Sequence, residues 1–391
     1  MRSDFRHATR SLLRSPGYTI AAVAALAVGL GATTAVFTLV SAIVLRPLGY
    51  PAADQLVSIG HAALRGAAGG LGQSGGTYLF YRENNRVFDD LGVYYENVVN
   101  LTDVEDPERI QVAMMSSSIY STLGVRPVLG RLFNDTDGGG EVPVLISYEL
   151  WQRRFGADPA IIQRTIGLNA SQRRVIGVLP KGFDFPRRET QVWYPDEPTA
   201  ANADVTDFHY TAIARLKTEV TAADAEAHLN QLLPRIRDSH PAAASLIESG
   251  IQATVTPLKD VVIGPVRSAL WVLLSSMAVV LLIAFANVGN LMLVRAEHRR
   301  REVAVRIALG ARAGDLARLF NSESVLIAVG GGLLGLLGAF AGVRLLVLAG
   351  PTNIPRLHDV RFDWRVYAFI TLLTLLTAVV FGLAPLVRRA G

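Results

Sequence analysis

The sequence predicts an α-helical membrane protein with four transmembrane helices plus a large α+β extracytoplasmic domain. Three observations predict this fold class. Half of the 391 residues are apolar and 18% are charged, whereas soluble proteins carry about 25% charged residues. Four apolar runs are each long enough to cross a bilayer, which takes roughly 20 residues. Residues 46–266, which hold 26 of the 33 acidic residues, separate the first run from the second.

The four runs divide the chain into membrane spans and connecting segments. The predicted spans are residues 18–45, 267–294, 323–350 and 366–387. The remaining segments are an N-terminal segment 1–17, the outer domain 46–266, a loop 295–322 and a short outer loop 351–365. The first run exceeds the about 7–15 apolar residues of a signal peptide. Arg46 and Pro47 follow it without a small-residue cleavage site, so we expect an uncleaved anchor.

Basic residues predict the orientation of the chain in the membrane. Segment 1–17 holds four Arg and one Asp, and residues 295–318 hold seven Arg against three acidic residues. Because Lys and Arg accumulate in cytoplasmic loops, both termini are predicted to be cytoplasmic and residues 46–266 to lie outside the inner (plasma) membrane. The loop 351–365, with three Arg and two Asp, argues weakly against this rule.

Composition and motif content exclude several functional classes. Cysteine is absent, which removes disulfide scaffolds, cysteine zinc sites and thiol catalysis. The pI of 9.6 would suit a nucleic-acid-binding protein, but the excess of basic residues lies beside the apolar runs, so no nucleic acid is expected. The seven His residues show no ligand spacing. We therefore predict no catalytic, cofactor-binding or metal residue and no cofactor.

The chain also lacks a nucleotide-binding loop of the Walker A type. That motif needs a Lys after a fixed glycine spacing, and the three Lys residues of this chain, Lys181, Lys217 and Lys259, do not follow it. The chain is therefore not expected to be an enzyme. Any ATP hydrolysis that drives it would be performed by a separate subunit.

The outer domain is predicted to mix strands and helices. Segments rich in Val, Ile and aromatic residues predict strands at 142–147, 174–179, 191–194 and 210–216. Thr221 is a candidate N-cap of a helix over 221–238. The glycine-rich stretch 66–76 predicts a mobile loop. Four aromatic residues, Tyr94, Tyr95, Trp151 and Trp193, are either core residues or the lining of a ligand cleft.

The loop 295–322 contains a predicted amphipathic helix. Residues 301–311 place Val303 and Ile307 on one face, and Gly310 is the expected helix end. This spacing fits docking on anionic lipid and docking on protein equally well. Asn321 and Glu323 are predicted to begin the third span, where an acidic residue suits the helix N-terminus.

Two sets of residues within the spans predict helix–helix packing. Glycines spaced four residues apart permit close approach of helix backbones in a membrane, and the third span has Gly331, Gly335, Gly338 and Gly342. Asn287 and Asn290 lie one turn apart in the second span, and their side chains need hydrogen-bonding partners there. Hydrogen bonds between helices and contact with a substrate are the two alternatives for this pair.

Several segments resemble one known family along nearly the whole chain. They are the opening SLLRSPGYTIAAVAALAVGLGATTAVFTLVSAIVLRPLGYP, VRPVLGRLF (125–133), ISYELWQRRFGADP (146–159), VIGVLPKGFDFP (175–186), the block ANVGNLMLVRAEHRRREVAVRIALGA and FGLAPL (381–386). Together they resemble MacB/FtsX-like ABC transporter permeases, and are most similar to the acidobacterial duplicated orphan permease branch.

The resemblance implies a permease of a type VII ABC transporter with an outer domain of porter and sabre lobes. It implies a coupling helix at residues 302–310 that docks on a separate ABC ATPase, with Arg301, Glu302, Arg306 and Gly310 as the contact residues. It also implies mechanotransmission of an export or efflux type, a second permease unit, and an extracytoplasmic partner. The second permease unit would be either another copy of this chain, in a homodimer, or the other half of a duplicated permease.

This chain departs from the family pattern in two respects. No ATPase domain is fused to it, and its 391 residues match one half of the duplicated members. Two alternatives to transport stay open at this point. One is an FtsX-like membrane regulator of an extracytoplasmic hydrolase, and the other is an orphan membrane protein with no ATPase partner.

Overall fold

A computed structural model describes residues 2–62, 70–102, 107–134, 137, 142–169, 171–298, 313–350, 356–357 and 360–387. The chain forms two compact units. The membrane unit comprises Met1–Arg46 and Ile263–Gly391, and the outer domain comprises Pro47–Val262. The predicted outer domain, residues 46–266, extends slightly beyond this unit at both ends.

The helices follow one another along the chain in both units. They are α1 (Arg2–Leu13), α2 (Pro16–Val40), α3 (Gly75–Asn84), α4 (Ser118–Leu123), α5 (Tyr148–Phe155), α6 (Ala222–Leu232), α7 (Ile236–Ser239), α8 (Ala244–Glu248), α9 (Leu258–His298), α10 (Ala313–Ala349) and α11 (Trp364–Val387). A π-helical turn, Ser41–Leu45, continues α2.

Four of these helices are long and apolar enough to cross a membrane. The candidate spans are Pro16–Leu45, Leu258–Arg295, Asn321–Ala349 and Trp364–Gly382. Pro16 occupies the first turn of α2, where its missing N–H leaves no helical hydrogen bond unmade. Helices that are apolar on all sides, as these are, suit a lipid environment rather than a water-facing surface.

The outer domain contains one mixed sheet. Its strands are β1 (Leu56–Ala62), β2 (Phe88–Leu101), β3 (Glu108–Met115), β4 (Leu129–Gly130), β5 (Val144–Ile146), β6 (Thr165–Leu168), β7 (Ser171–Val178), β8 (Thr190–Pro195), β9 (Thr211–Leu216) and β10 (Gln252–Pro257). The strand order is β10-β1-β9-β2-β3-β8-β5-β7-β4, and β6 pairs with β2 and β7. The β3–β8 and β5–β7 pairs are parallel.

Both faces of the sheet are covered by apolar side chains. Successive residues of a strand point to opposite faces, and β9 shows this alternation. Ala212 and Ala214 belong to a buried cluster that includes residues of α3 and α6. Ile213 between them belongs to a second cluster with Met115 and Trp193. The domain is therefore layered on both sides of its sheet, and it mixes strands and helices as predicted.

The prediction of a loop over residues 66–76 is wrong at its C-terminal end. Residues 63–69 lie outside the described part of the chain. Gly75 and Gly76 begin α3, because Ser74 and Thr77 form a reciprocal capping box at the helix start. Both glycines are buried. A Cβ atom on Gly76 would collide with Val205, so this glycine permits close packing rather than mobility.

The helix predicted over residues 221–238 is interrupted by a 3-10 turn, after which α7 continues over Ile236–Ser239. Thr221 caps α6 as predicted and forms a capping box with Asp224. The α-helix ends at Leu232, and a 3-10 turn follows over Leu233–Arg235. Pro234 explains the break, because proline lacks the N–H that would continue the α-helical hydrogen bonding.

Candidate functional site

The membrane unit is held together by very close contact between α2 and α10. A Cβ atom built on Gly31 would lie 2.8 Å from the carbonyl oxygen of Gly335. A Cβ atom on Gly335 would lie 3.0 Å from the backbone nitrogen of Gly31, and one on Gly331 would lie 2.6 Å from the Cβ atom of Leu26. Only glycine fits at these three positions, so the two backbones touch directly.

The other predicted packing residues lie elsewhere. No atom of the described chain lies within 4 Å of a Cβ atom built on Gly338 or Gly342. Asn287 and Asn290 are exposed on α9, and neither side chain has a hydrogen bond within the described residues. The structure thus brings Gly331 and Gly335 to an internal helix contact, and it leaves the other four residues on outer surfaces of this unit.

Polar contacts join α2 to α9. The hydroxyl of Thr33 donates to the carbonyl oxygen of Gly29 at 2.8 Å and lies 3.2 Å from the carbonyl oxygen of Met277 on α9. A Cβ atom on Gly29 would lie 3.1 Å from Ala284 and from Leu281. These α2 residues are not among the predicted packing residues, although glycine at 29 and 31 beside threonine at 33 is the small-and-polar composition of membrane helix interfaces.

A partly buried polar network joins the C-terminal part of α9 to three other helices. We call its four residues, Ser11, Tyr18, Arg295 and Glu323, the Arg295 network. The Arg295 guanidinium donates to the Ser11 hydroxyl at 2.9 Å and to the Ser11 carbonyl oxygen at 3.1 Å. The Ser11 hydroxyl donates to the Glu323 carboxylate at 2.5 Å.

The same guanidinium makes two longer-range contacts. It lies 3.9 Å from the Glu323 carboxylate and 4.3 Å from the centre of the Tyr18 ring. The exposed fractions of the Arg295 and Glu323 side chains are 11% and 8%. The network therefore links α1, α2, α9 and α10 through two buried, opposite charges, which water and salt screen only weakly.

The third candidate span begins at Asn321, as predicted, but Asn321 and Glu323 do not lie at the N-terminus of a helix. The helix α10 begins at Ala313, so Glu323 lies within it and cannot interact with a helix N-terminus. Its carboxylate instead accepts the hydrogen bond from Ser11. An arginine at the end of one apolar span and a glutamate at the start of the next was the sequence feature that could have indicated this pair.

A cavity opens beside the Arg295 network. Its volume is about 520 Å³. The lining is largely apolar and comes from the start of α2 and the end of α9: Ser15, Gly17, Tyr18, Ala21, Leu291, Val294 and Arg295. The network thus borders a space where these two helices do not fill the volume between them.

The predicted ATPase contact lies outside the described residues. Arg301, Glu302, Arg306 and Gly310 all fall within 299–312, between α9 and α10. What the structure does show is the anchoring of the two flanking helices. Arg295 lies on α9 shortly before this segment, and Glu323 lies on α10 after it.

Of the four aromatic residues singled out in the outer domain, Trp151 and Trp193 are buried, and Tyr94 and Tyr95 are partly buried against its core. Trp193 is fully buried, and its indole N–H donates to the carbonyl oxygen of Phe185 at 2.9 Å. The indole of Trp151 donates to Asp158 at 2.9 Å. Tyr94 packs edge-on against Phe185. These contacts favour the core alternative over a ligand cleft.

Residues 103–108 contain four acidic residues, of which the structure describes only Glu108. Glu108 accepts hydrogen bonds from Arg153 at 2.8 and 2.9 Å and from Arg154 at 3.1 Å. These hydrogen bonds lower the pKa of Glu108 to about 2. Glu108 therefore joins β3 to α5. Within the part of the chain that the structure describes, no three His, Asp or Glu side chains come close enough to hold a metal ion.

These observations define a class of protein: a four-span membrane protein with a large α/β periplasmic-type domain. Two protein-family models match this chain and define a narrower class. Residues 19–232 match the MacB-like periplasmic core domain, and residues 274–391 match the FtsX-like permease C-terminal region. The chain belongs to this MacB-like ABC transporter permease family, and it carries the permease part. Its assignment to the acidobacterial branch stays a prediction.

Individual relatives match at low identity. The macrolide export ATP-binding/permease protein MacB of Neisseria meningitidis is 26% identical over 250 residues, covering 60% of this chain and 36% of that protein. The uncharacterized ABC transporter permease YknZ of Bacillus subtilis is 26% identical over 270 residues, covering 67% and 62%. The chain thus spans about a third of the length of the MacB relative and less than two thirds of YknZ.

Solved structures of periplasmic domains also match. The periplasmic region of MacB from Actinobacillus actinomycetemcomitans is 13% identical with a TM-score of 0.39. The match covers 55% of this chain and 92% of that structure.

Proposed function

We propose that this chain relays the ATP-driven movement of a separate ABC ATPase to its outer domain, as a permease of the export or efflux type. The observation that carries the proposal is α9, a single helix of 41 residues from Leu258 to His298. At 1.5 Å per residue its length is about 62 Å, roughly twice the hydrocarbon thickness of a bilayer. Such a helix transmits a displacement at one end to the other.

The Arg295 network supplies the attachment point for that displacement. It lies on α9 immediately before segment 299–312, where the family resemblance places the coupling residues. Arg295 also contacts Ser11 of α1 and Glu323 of α10. A force applied to segment 299–312 is therefore shared among three helices rather than bending one of them, because a buried charge pair resists separation.

The contact between α2 and α10 supports transmission through a packed bundle. Gly31 and Gly335 leave no space for a solute between these two helices. In this proposal the outer domain performs the work on the transported molecule or on an extracytoplasmic partner, and the helices move as packed bodies.

The proposal places the chain in the inner membrane with both termini in the cytoplasm. Because the sequence has no cysteine, single-cysteine variants test this orientation directly. In intact cells of an expression host, a membrane-impermeant maleimide should label Arg188→Cys in the outer domain and should not label Arg10→Cys in α1. Labelling of Arg10→Cys in intact cells would contradict the orientation.

Affinity capture of the intact chain from gently solubilised native membranes tests the ATPase contact. The native chain should capture a nucleotide-binding ABC subunit, identified by mass spectrometry. The variants Glu302→Arg and Arg306→Glu should lose it, whereas Arg237→Glu, at an exposed position of the outer domain, should retain it. If the folded native chain captures no ATPase, coupling through segment 299–312 is wrong.

A further inference from the structure

A cavity lies between the start of α2 and the end of the apolar part of α9. Its volume is about 520 Å³, and ligand sites in proteins typically measure about 300–1,000 Å³. Its lining falls within residues 15–21 and 291–295. The uncharged run of α2 begins at residue 18, and that of α9 ends at residue 294. The cavity therefore crosses the level at which a bilayer changes from headgroups to hydrocarbon.

The deeper part of the cavity has apolar walls. Tyr18, Ala21, Leu291 and Val294 supply them, and because Ala21 and Val294 are exposed, the cavity is open to the surroundings of the helices. Burial of apolar surface favours a hydrocarbon chain and offers nothing to an inorganic ion. These walls alone would suit any lipid chain, so the charge at the mouth of the cavity decides its occupant.

The surface end of the cavity is cationic. The Arg295 guanidinium lines it and lies 4.3 Å from the centre of the Tyr18 ring. Glu323, at 3.9 Å from the same guanidinium, is not a lining residue. Arg14 directly precedes the lining residue Ser15, is exposed, and forms no ion pair with a described residue. The mouth of the cavity therefore has two arginines close to it and no carboxylate in its lining.

The sequence on both sides of the cavity is also basic. Residues 1–17 hold four Arg and one Asp, and residues 295–301 hold four Arg and one Glu. These are the segments that leave the membrane beside the cavity. Basic pockets between membrane helices bind the headgroups of anionic lipids, and arginine binds phosphate through parallel hydrogen bonds. The charge and the apolar walls together fit a molecule with an anionic phosphate and a hydrocarbon chain.

We propose that this cavity binds one anionic phospholipid, with an acyl chain along the apolar walls and the phosphate at Arg14 and Arg295. The inference goes beyond the proposed function but rests on it for the orientation, which places the cavity in the cytoplasmic leaflet, where anionic lipid is concentrated. The bound lipid fills the space between α2 and α9 beside the Arg295 network. It therefore joins these two helices at the end where α9 runs into segment 299–312.

Native mass spectrometry of the intact chain, purified in detergent, tests the inference. The chain is offered equal amounts of phosphatidylglycerol, which is anionic, and phosphatidylcholine, which is zwitterionic. Each chain should retain one phosphatidylglycerol, with a preference of about five-fold or more over phosphatidylcholine, which is what one arginine contributes at an anionic membrane surface. Glycerol 3-phosphate carries a phosphate without acyl chains, and it should not displace the lipid.

Gly17 permits a variant that fills the cavity without removing a charge. No atom of the described chain lies within 4 Å of a Cβ atom built on Gly17, so the side chain introduced by Gly17→Leu can occupy the cavity. This variant should retain several-fold less phosphatidylglycerol. Gly338→Leu is the matched control, because its position on α10 is equally open among the described residues, and it should retain as much lipid as the native chain.

Arg14→Gln tests the phosphate contact independently of the cavity volume. It should bind phosphatidylglycerol about five-fold more weakly and leave the retention of phosphatidylcholine unchanged. Arg344→Gln, at an exposed arginine near the C-terminal end of α10, is the control. Thermal unfolding of each lipid-free variant distinguishes a lost site from a lost fold. If Gly17→Leu unfolds early, Arg14→Gln decides the result.

Several outcomes would overturn the inference. They are equal retention of the two lipids, unchanged retention in a folded Gly17→Leu variant, and displacement of the lipid by glycerol 3-phosphate, which would indicate a site for free phosphate. A species of twice the 42.1 kDa chain mass without bound lipid would also overturn it and would assign the cavity to a second copy of the chain.

The lipid measurement is independent of the ATPase capture described above, because it requires neither a partner nor a membrane orientation. Selective retention of phosphatidylglycerol without a captured ATPase would support the lipid site and contradict coupling through segment 299–312. Capture of an ATPase without lipid selectivity would do the reverse.

Discussion

Gly31 and Gly335 meet backbone to backbone, with the carbonyl oxygen of Gly335 only 2.8 Å from where a Gly31 Cβ atom would lie. Any side chain at either position must push α2 and α10 apart. The two helices also contact each other through Gly331 and Leu26. This close contact sets the distance between the first and third spans.

We expect Gly335→Val to destabilise the membrane unit by about 1–3 kcal/mol, the usual range for overpacking. The matched control is Gly338→Val on the same helix, where no atom of the described chain lies within 4 Å of the added Cβ atom. Thermal unfolding of the purified chain in detergent measures both. Equal losses in the two variants would show that the α2–α10 contact is not as tight as described.

Removal of Arg295 should destabilise the chain by about 3–5 kcal/mol, because the buried carboxylate of Glu323 loses its cation. The double variant Arg295→Met with Glu323→Met should recover most of the loss, since neither charge of this pair is then left. Arg344→Met, at an exposed position of α10, serves as the control. Unfolding in detergent distinguishes the variants. A double variant no more stable than Arg295→Met would contradict the charge pairing.

The hydrogen bond between α2 and α9 permits a matched pair of variants. Thr33 and Thr38 are both buried in α2, but only Thr33 reaches a carbonyl oxygen of α9. Thr33→Val should cost about 0.6–1.7 kcal/mol more than Thr38→Val, the range found for hydrogen bonds between membrane helices. Denaturant unfolding of the two variants measures this difference, and a difference near zero would remove Thr33 from the helix contact.

Acid should weaken the outer domain through Glu108. The hydrogen bonds from Arg153 and Arg154 lower its pKa from 4.5 to about 2, so the folded chain holds fewer protons than the unfolded chain between these values. The stabilisation is present above pH 4.5 and is lost as the pH falls towards 2. The stability difference between the native chain and Glu108→Gln should therefore shrink across this range.

Tryptophan fluorescence across a pH series can follow this effect, because Trp151 lies on the same helix as both arginines. Glu248→Gln, at an exposed glutamate that has no ion pair among the described residues, is the control. A stability difference that does not change with pH would argue against the arginine contacts as its source.

The sequence predicted the four membrane spans because lipid imposes a simple requirement, a long apolar run. It did not predict where α10 begins, since a helix can continue into polar sequence without a change in backbone hydrogen bonding. The apolar run predicts that the third span starts near Glu323, whereas the helix that contains it already starts at Ala313. For the same reason the role of Glu323 was missed.

Glycine spacing predicted the α10 packing residues only in part. Gly331 and Gly335 touch α2, but no atom of the described residues lies near a Cβ atom built on Gly338 or Gly342. The spacing defines a helix face and cannot say how far along that face a neighbouring helix extends. Local strand preferences likewise located β9, but not its position between β1 and β2, because that neighbourhood depends on pairing between residues far apart in sequence.

The pairing of β1 with β10 has a consequence for how such proteins can vary. These are the first and last strands of the outer domain, and Val57 lies opposite Pro257. Because the first and last strands of the domain are neighbours, its two ends lie close together, as in a domain inserted into another chain. Its interior can lengthen, shorten or be exchanged without changing the spacing that the flanking chain must accommodate. The outer domain can thus diverge while the membrane helices keep their sequence.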